Sequence, residues 1–157
     1  MAEHTAQVLW QRPPDAPFTD NRYSRRHVWR FDGGVEVPAS STPAMLPPPL
    51  SAIDAVDPEE AFVAALSSCH MLWFLAIAAR KGYIVDAYED HAVGHMGRNS
   101  AGRTAMVRVV LRPKVTFAGE NRPDADALKE LHHQAHEQCF IAHSVTSEVS
   151  IEPQANA

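Results

Sequence analysis

One segment constrains the fold of this chain more than any other. Asp57-Pro58-Glu59-Glu60 opens it, Ala61 to Ala79 follow as 19 residues without formal charge, and Arg80-Lys81-Gly82 close it. An Asp at the N-cap, a Pro at the first helical position and an acid three residues after the cap together mark a helix start. Basic residues suit the negative end of the helix dipole, and a glycine just beyond them is a natural terminator. The run is near the length of a membrane span. Its centre reads Ser67-Ser68-Cys69-His70 and no second span accompanies it, so the expectation is a buried core helix and no membrane association.

The flanks suggest strands. His27-Trp29-Phe31 alternate up to Asp32-Gly33-Gly34, and Val35-Val37 resume the pattern, which predicts a hairpin. Val8 and Trp10 mark an earlier strand. Residues 38–56 carry Pro38, Pro43, Pro47, Pro48 and Pro49 without periodicity. A connection of that length usually covers a site or a subunit contact. Ile84 to Met96 is a less regular candidate strand, and Val107 to Phe117 alternate as a strand with one wet face. A second helix is expected from Pro123-Asp124, with Leu128, Leu131, Ala135, Cys139 and Ala142 at helical spacing. Val145, Val149 and Ile151 alternate as a closing strand. The class is α+β, in one domain over 1–157: strands and the proline-rich loop (1–56), the central helix (57–82), then strands, second helix and final strand (83–157).

With 157 residues the chain is long enough for a sizeable core without covalent staples. Its two cysteines are therefore too few for a disulfide scaffold and call for another purpose. The net charge of −5, with no basic run longer than Arg25-Arg26, argues against nucleic acid or an anionic membrane as partner. Met1-Ala2-Glu3-His4 has neither the basic nor the apolar part of a secretory signal, which makes the cytoplasm the expected compartment.

Cys69 and Cys139 each occupy an apolar-face position of a predicted helix. Taken singly, each reads as a small buried hydrophobe. On two helices packed about 8–10 Å apart they could come within disulfide range, which makes a redox pair a real candidate. Cys69 lies too deep in its helix for the dipole to acidify it, so a thiolate there needs a nearby cation, with Arg22, Arg25 and Arg26 as candidates. A competing class uses His132, His136 and Cys139, one helical face of zinc ligands with His143 as a fourth. A third is a non-catalytic dimeric binding module.

Asp57-Pro58-Glu59-Glu60, the small-residue-rich helix after it and Cys69 at its middle resemble the pattern of the OsmC/Ohr family, the osmotically inducible and organic hydroperoxide resistance proteins. The second cysteine, the strand order and the length agree over roughly Val8 to Ile151. The resemblance implies an intertwined homodimer with antiparallel strands, a buried central helix and a second, Cys-bearing helix. It implies thiol-dependent reduction of a small-molecule hydroperoxide, with no bound cofactor and an external thiol or dithiol as reductant. Carried over residue by residue, Cys69 is the peroxidatic cysteine, Cys139 the resolving one, Glu59 the carboxylate, and Arg25 in Tyr23-Ser24-Arg25 the best match for the activating arginine. Cys139-Phe140-Ile141 and His70 depart from the better-known members and place the chain in a separate OsmC-like branch. In a straight helix Glu59 and Cys69 stand about 15 Å apart along the axis, so they cannot touch directly.

Overall fold

The computed structural model describes residues 2–154. The chain divides into two compact units, residues 1–61 and 62–157. In the first, β1 (Ala6–Leu9), β2 (His27–Phe31) and β3 (Glu36–Ala39) form an antiparallel sheet in that order. The β2–β3 hairpin turns at Asp32-Gly33-Gly34 as the sequence predicts, Gly34 taking φ +80° where a side chain would be strained. The proline-rich loop returns to this sheet: the Ser40 N–H donates to the Val56 carbonyl at 3.0 Å, the Val56 N–H donates to the Pro38 carbonyl at 2.9 Å, and the Arg25 N–H donates to the Leu50 carbonyl at 2.9 Å.

Helix α1 (Pro58–Arg80) has the two ends that its sequence predicts. The Asp57 carboxylate accepts from the Glu60 N–H at 2.7 Å and the Glu60 carboxylate accepts from the Asp57 N–H at 3.1 Å, a closed capping box. At the other end Gly82 takes φ +78°, the Tyr83 N–H donates to Ala78 and the Gly82 N–H to Ala79, satisfying the last carbonyls. Although apolar all round and long enough to cross a membrane by composition, α1 buries one stripe, Leu66, His70, Phe74, Ile77 and Ala78. The remainder is part-covered or open within the chain, Leu72 being 60% exposed.

The second unit holds β4 (Ile84–Asp90), β5 (Val93–Arg98), β6 (Thr104–Leu111), β7 (Pro113–Ala118), α2 (Ala125–Gln138) and β8 (Glu148–Ile151). Two single strands expected from the sequence are in fact two pairs. Ile84 to Met96 breaks at His91-Ala92, and the alternating 107–117 run breaks at Arg112. As a result β4 pairs with β7, and β5 with β6, in separate sheets. Asp90 holds the corner, its carboxylate accepting from the Arg112 N–H and from the Ser67 hydroxyl of α1. The closing strand β8 pairs parallel to β6, whereas the other strand pairs among the described residues are antiparallel.

The C-terminal half of α1 packs Phe74, Ile77 and Ala78 with Val115, Leu131 and Ala135. Its N-terminal half packs Leu66 with Val109 and Leu111. Gly94 gives room to this packing: a Cβ there would stand 2.6 Å from both Met106 Sδ and Val63 Cγ2, so a larger residue would force these side chains to shift. Cys69 and His70 lie on α1 where the two apolar clusters meet.

Candidate active site

Asp124 caps α2, its carboxylate accepting from the Ala127 N–H at 2.8 Å. The helix ends at Gln138, earlier than the spacing through Ala142 predicts; Ala142–Ser144 is a separate 3-10 turn. Cys139 is therefore the residue that caps α2 rather than a member of its last turn, with extended ψ of 104° and its N–H donating to the His136 carbonyl. This geometry turns its sulfur inward, 1% exposed, where it accepts the Ala142 N–H at 3.4 Å.

Cys69 reaches the same point from α1. It is half-buried, and its thiol is near enough to Cys139 to act on that group, both sulfurs being free thiols. Burial first, and the Cys69 thiol second, push the Cys139 thiol up to about 11, against the opposing pull of the Ala142 and Ile141 backbone amides. At neutral pH Cys139 therefore stays protonated. Trp73, one turn past Cys69, meets Phe140 edge-on at 5.5 Å, so an aromatic pair flanks the thiol pair.

A second bridge joins the same helices. His70 Nε2 lies 3.1 Å from His132 Nδ1, the rings stacked with an interplanar angle of 7°, and both residues are buried. Phe74 packs on His132 at 4.5 Å between centroids. The outer nitrogens, His70 Nδ1 and His132 Nε2, have no partner among the described residues. Burial lowers His70 to about 3, with His132 and His136 adding to the effect, and burial lowers His132 to about 4. This pair was not apparent from the sequence: its members stand 62 positions apart, and the α2 pattern does not distinguish His132 from His133 and His136.

The pairing also undoes the zinc arrangement expected of His132, His136 and Cys139. His132 turns to His70 and Cys139 to Cys69, His143 Nε2 is bonded to the Glu137 carbonyl, and no three His, Cys, Asp or Glu side chains among the described residues are placed to hold a metal ion.

Arg25 and Glu59 belong to the first unit. The Arg25 guanidinium sits 4.0 Å over the Tyr23 ring and donates to the Asn21 carbonyl, the Asn21 side chain and the Tyr23 carbonyl. It lines a cavity of about 430 Å³ whose other walls include Trp10, Phe18, Tyr23 and His27. No carboxylate pairs with it among the described residues, whereas Arg26 is engaged by Asp54 at 2.6 Å. The Glu59 side chain, half-buried, has neither a hydrogen bond nor an ion pair among the described residues, since the capping role belongs to Glu60.

The chain is similar to known proteins along its whole length. A family model described as OsmC-like protein matches residues 51–154. A solved OsmC-like protein of unknown function from Vibrio cholerae is 55% identical, with a TM-score of 0.96 over 98% of this chain and 100% of that one. An organic hydroperoxide resistance protein from Elizabethkingia anophelis shares the fold at 16% identity and TM-score 0.73, over 99% and 98% of the two chains. That of Bacillus subtilis does so at 18% identity and TM-score 0.64, over 96% and 98%. No curated protein matches the sequence.

Proposed function

Since this chain belongs to the OsmC-like protein family, we propose that it is a thiol-dependent peroxidase that reduces organic hydroperoxides in defence against oxidative stress. The observation that carries this reading is the proximity of two free thiols, Cys69 being near enough to Cys139 to raise its pKa. Two free thiols, one half-buried and one sealed in, divide the labour of a two-cysteine cycle. The Cys69 thiolate attacks the distal oxygen of ROOH, the O–O bond breaks, and the departing alkoxide takes a proton to leave as ROH. Sulfur is oxidised and the peroxide reduced. The Cys139 thiol then condenses with the Cys69 sulfenic acid, forming the S–S bond and releasing water. An external dithiol restores both thiols by exchange. Because Cys139 holds its proton at neutral pH, it does not compete as the first nucleophile.

Arg25 and Glu59 are the charged groups that we assign to thiolate activation, each without a charged partner of its own among the described residues. The almost wholly apolar α1, with Ala65, Ser68, Leu72, Ala76 and Ala79 exposed along one stripe, supports an obligate homodimer. Sedimentation at low micromolar concentration should then give about twice 17.3 kDa, and a soluble monomer would refute it.

The activity is tested by treating reduced protein with one equivalent of tert-butyl hydroperoxide or hydrogen peroxide. Intact mass should fall by two hydrogens, and turnover should continue when dithiothreitol is supplied. Thiols that survive every peroxide offered would end the proposal.

Arg25→Met should raise the pH midpoint of Cys69 alkylation by about 1–3 units and lower kcat/KM in parallel. Arg25→Lys should fall between, since an ammonium lacks the planar fork that can hold a carboxylate and a sulfur together. An unmoved midpoint in Arg25→Met, with a raised one in Arg22→Met or Arg26→Met, would transfer the role to that neighbour.

A further inference from the structure

The buried bridge between His70 and His132 joins the two helices that bring the thiols together, and the thiol cycle as derived gives it no part. His70 follows Cys69 in α1, and His132 stands about two turns before the α2 cap that Cys139 forms. Among the described residues it is the one side-chain hydrogen bond between α1 and α2. The core contacts of these helices pack Phe74, Ile77 and Ala78 with Leu131 and Ala135. Apolar contacts of this kind are non-directional and tolerate a small slide of one helix along the other. A hydrogen bond of 3.1 Å between rings 7° from parallel does not.

Stability does not account for the bridge. Whichever ring carries the shared proton, one N–H and one lone pair stay buried without a partner among the described residues, at His70 Nδ1 and His132 Nε2. Two unmet polar atoms cost more than one hydrogen bond contributes, so a pair of leucines would hold the helices together at least as well. What leucines would not supply is register. Disulfide closure is demanding in that respect, since it tolerates Cα separations only between about 4.4 and 6.8 Å with matching side-chain directions.

We infer that His70 and His132 are positioning residues for the thiol pair, their bridge fixing α2 against α1 so that Cys69 and Cys139 can close a disulfide. The inference rests on the reading of the two thiols as a redox pair, though not on a peroxide as their oxidant.

Closure is measured first in mixtures of reduced and oxidised glutathione, where two protein thiols and one glutathione disulfide give the protein disulfide and two glutathione thiols. His70→Leu/His132→Leu should lower the equilibrium constant of closure by at least about tenfold, with a urea midpoint at pH 7 no lower than that of the parent protein. His70→Gln, whose amide nitrogen takes the place of Nε2, should close like the parent. His70→Asn, whose shorter amide cannot reach His132, should close like the double variant. With one equivalent of tert-butyl hydroperoxide, the double variant should consume peroxide at the parent's rate yet be trapped by dimedone at Cys69, because its sulfenic acid waits longer for Cys139. Peroxide that oxidises neither protein would end the peroxidase reading and leave the glutathione comparison standing. If the double variant does not fold, His70→Gln against His70→Asn decides. Parent-like closure in the double variant or in His70→Asn, a His70→Gln that closes no better than His70→Asn, or a urea midpoint that falls together with closure would each overturn the inference.

Discussion

Cys69→Ser should bring hydroperoxide consumption down to the rate of buffer with reductant alone, a fall of about three orders of magnitude or more. The hydroxyl that replaces the thiol is neither ionised near neutral pH nor able to hold a transferred oxygen as a sulfenic acid does, so both the attack and its product are lost. Cys139→Ser should behave differently. Its Cys69 still attacks, but the sulfenic acid has no thiol beside it, so one peroxide is consumed quickly and the product persists long enough for dimedone to trap it at Cys69. Turnover should then depend on how fast an external thiol reaches a half-buried sulfur. The serine itself is tolerable at 139, because the Ala142 N–H already points at that position and donates to it at 3.4 Å in the cysteine protein. The measurements are peroxide consumption and intact mass on the two variants side by side. Full activity in Cys69→Ser, or a sulfenate found at Cys139 instead, would reverse the assignment.

The two thiols also show where sequence reasoning succeeds and where it stops. Capping boxes and glycine terminators are made by residues three to six apart, so α1 could be bounded at both ends from Asp57, Glu60 and Gly82 before any packing was known. The cysteines could be placed on apolar faces, which permits a meeting without requiring one. Their proximity depends on Cys139 leaving helical geometry at the α2 cap, and a helical repeat continuing to Ala142 conceals that. The sheets were harder still. The alternation through Val107 to Phe117 is unbroken as a pattern, yet the chain changes sheet at Arg112 because Asp90, 22 positions earlier, captures its amide. The His70–His132 bridge was least accessible, since nothing local in either helix signals a partner 62 residues away.

That bridge should make the protein sensitive to mild acid. In the unfolded chain both rings titrate near pH 6.5; in the fold burial holds them at about 3 and about 4. The unfolded state thus binds more protons below pH 6.5, so the stability contribution is complete above that value and is lost as pH falls towards 4. At 1.36 kcal/mol per unit, one ring kept neutral from pH 6.5 to pH 4 withdraws about 3 kcal/mol, a large share of the stability of a domain this size. Carboxylates with ordinary values are still ionised between pH 6.5 and 5, so this window isolates the histidines. Urea midpoints should fall steeply across it in the parent protein. The double variant His70→Leu/His132→Leu removes both partners at similar volume, and should match or exceed the parent at pH 7 while showing a flatter pH slope. The single variant His70→Leu should be worse than the double one at pH 7, because it strands the second buried nitrogen of His132. A parent protein and double variant with the same slope between pH 6.5 and 5 would mean that the pair is not what acid attacks.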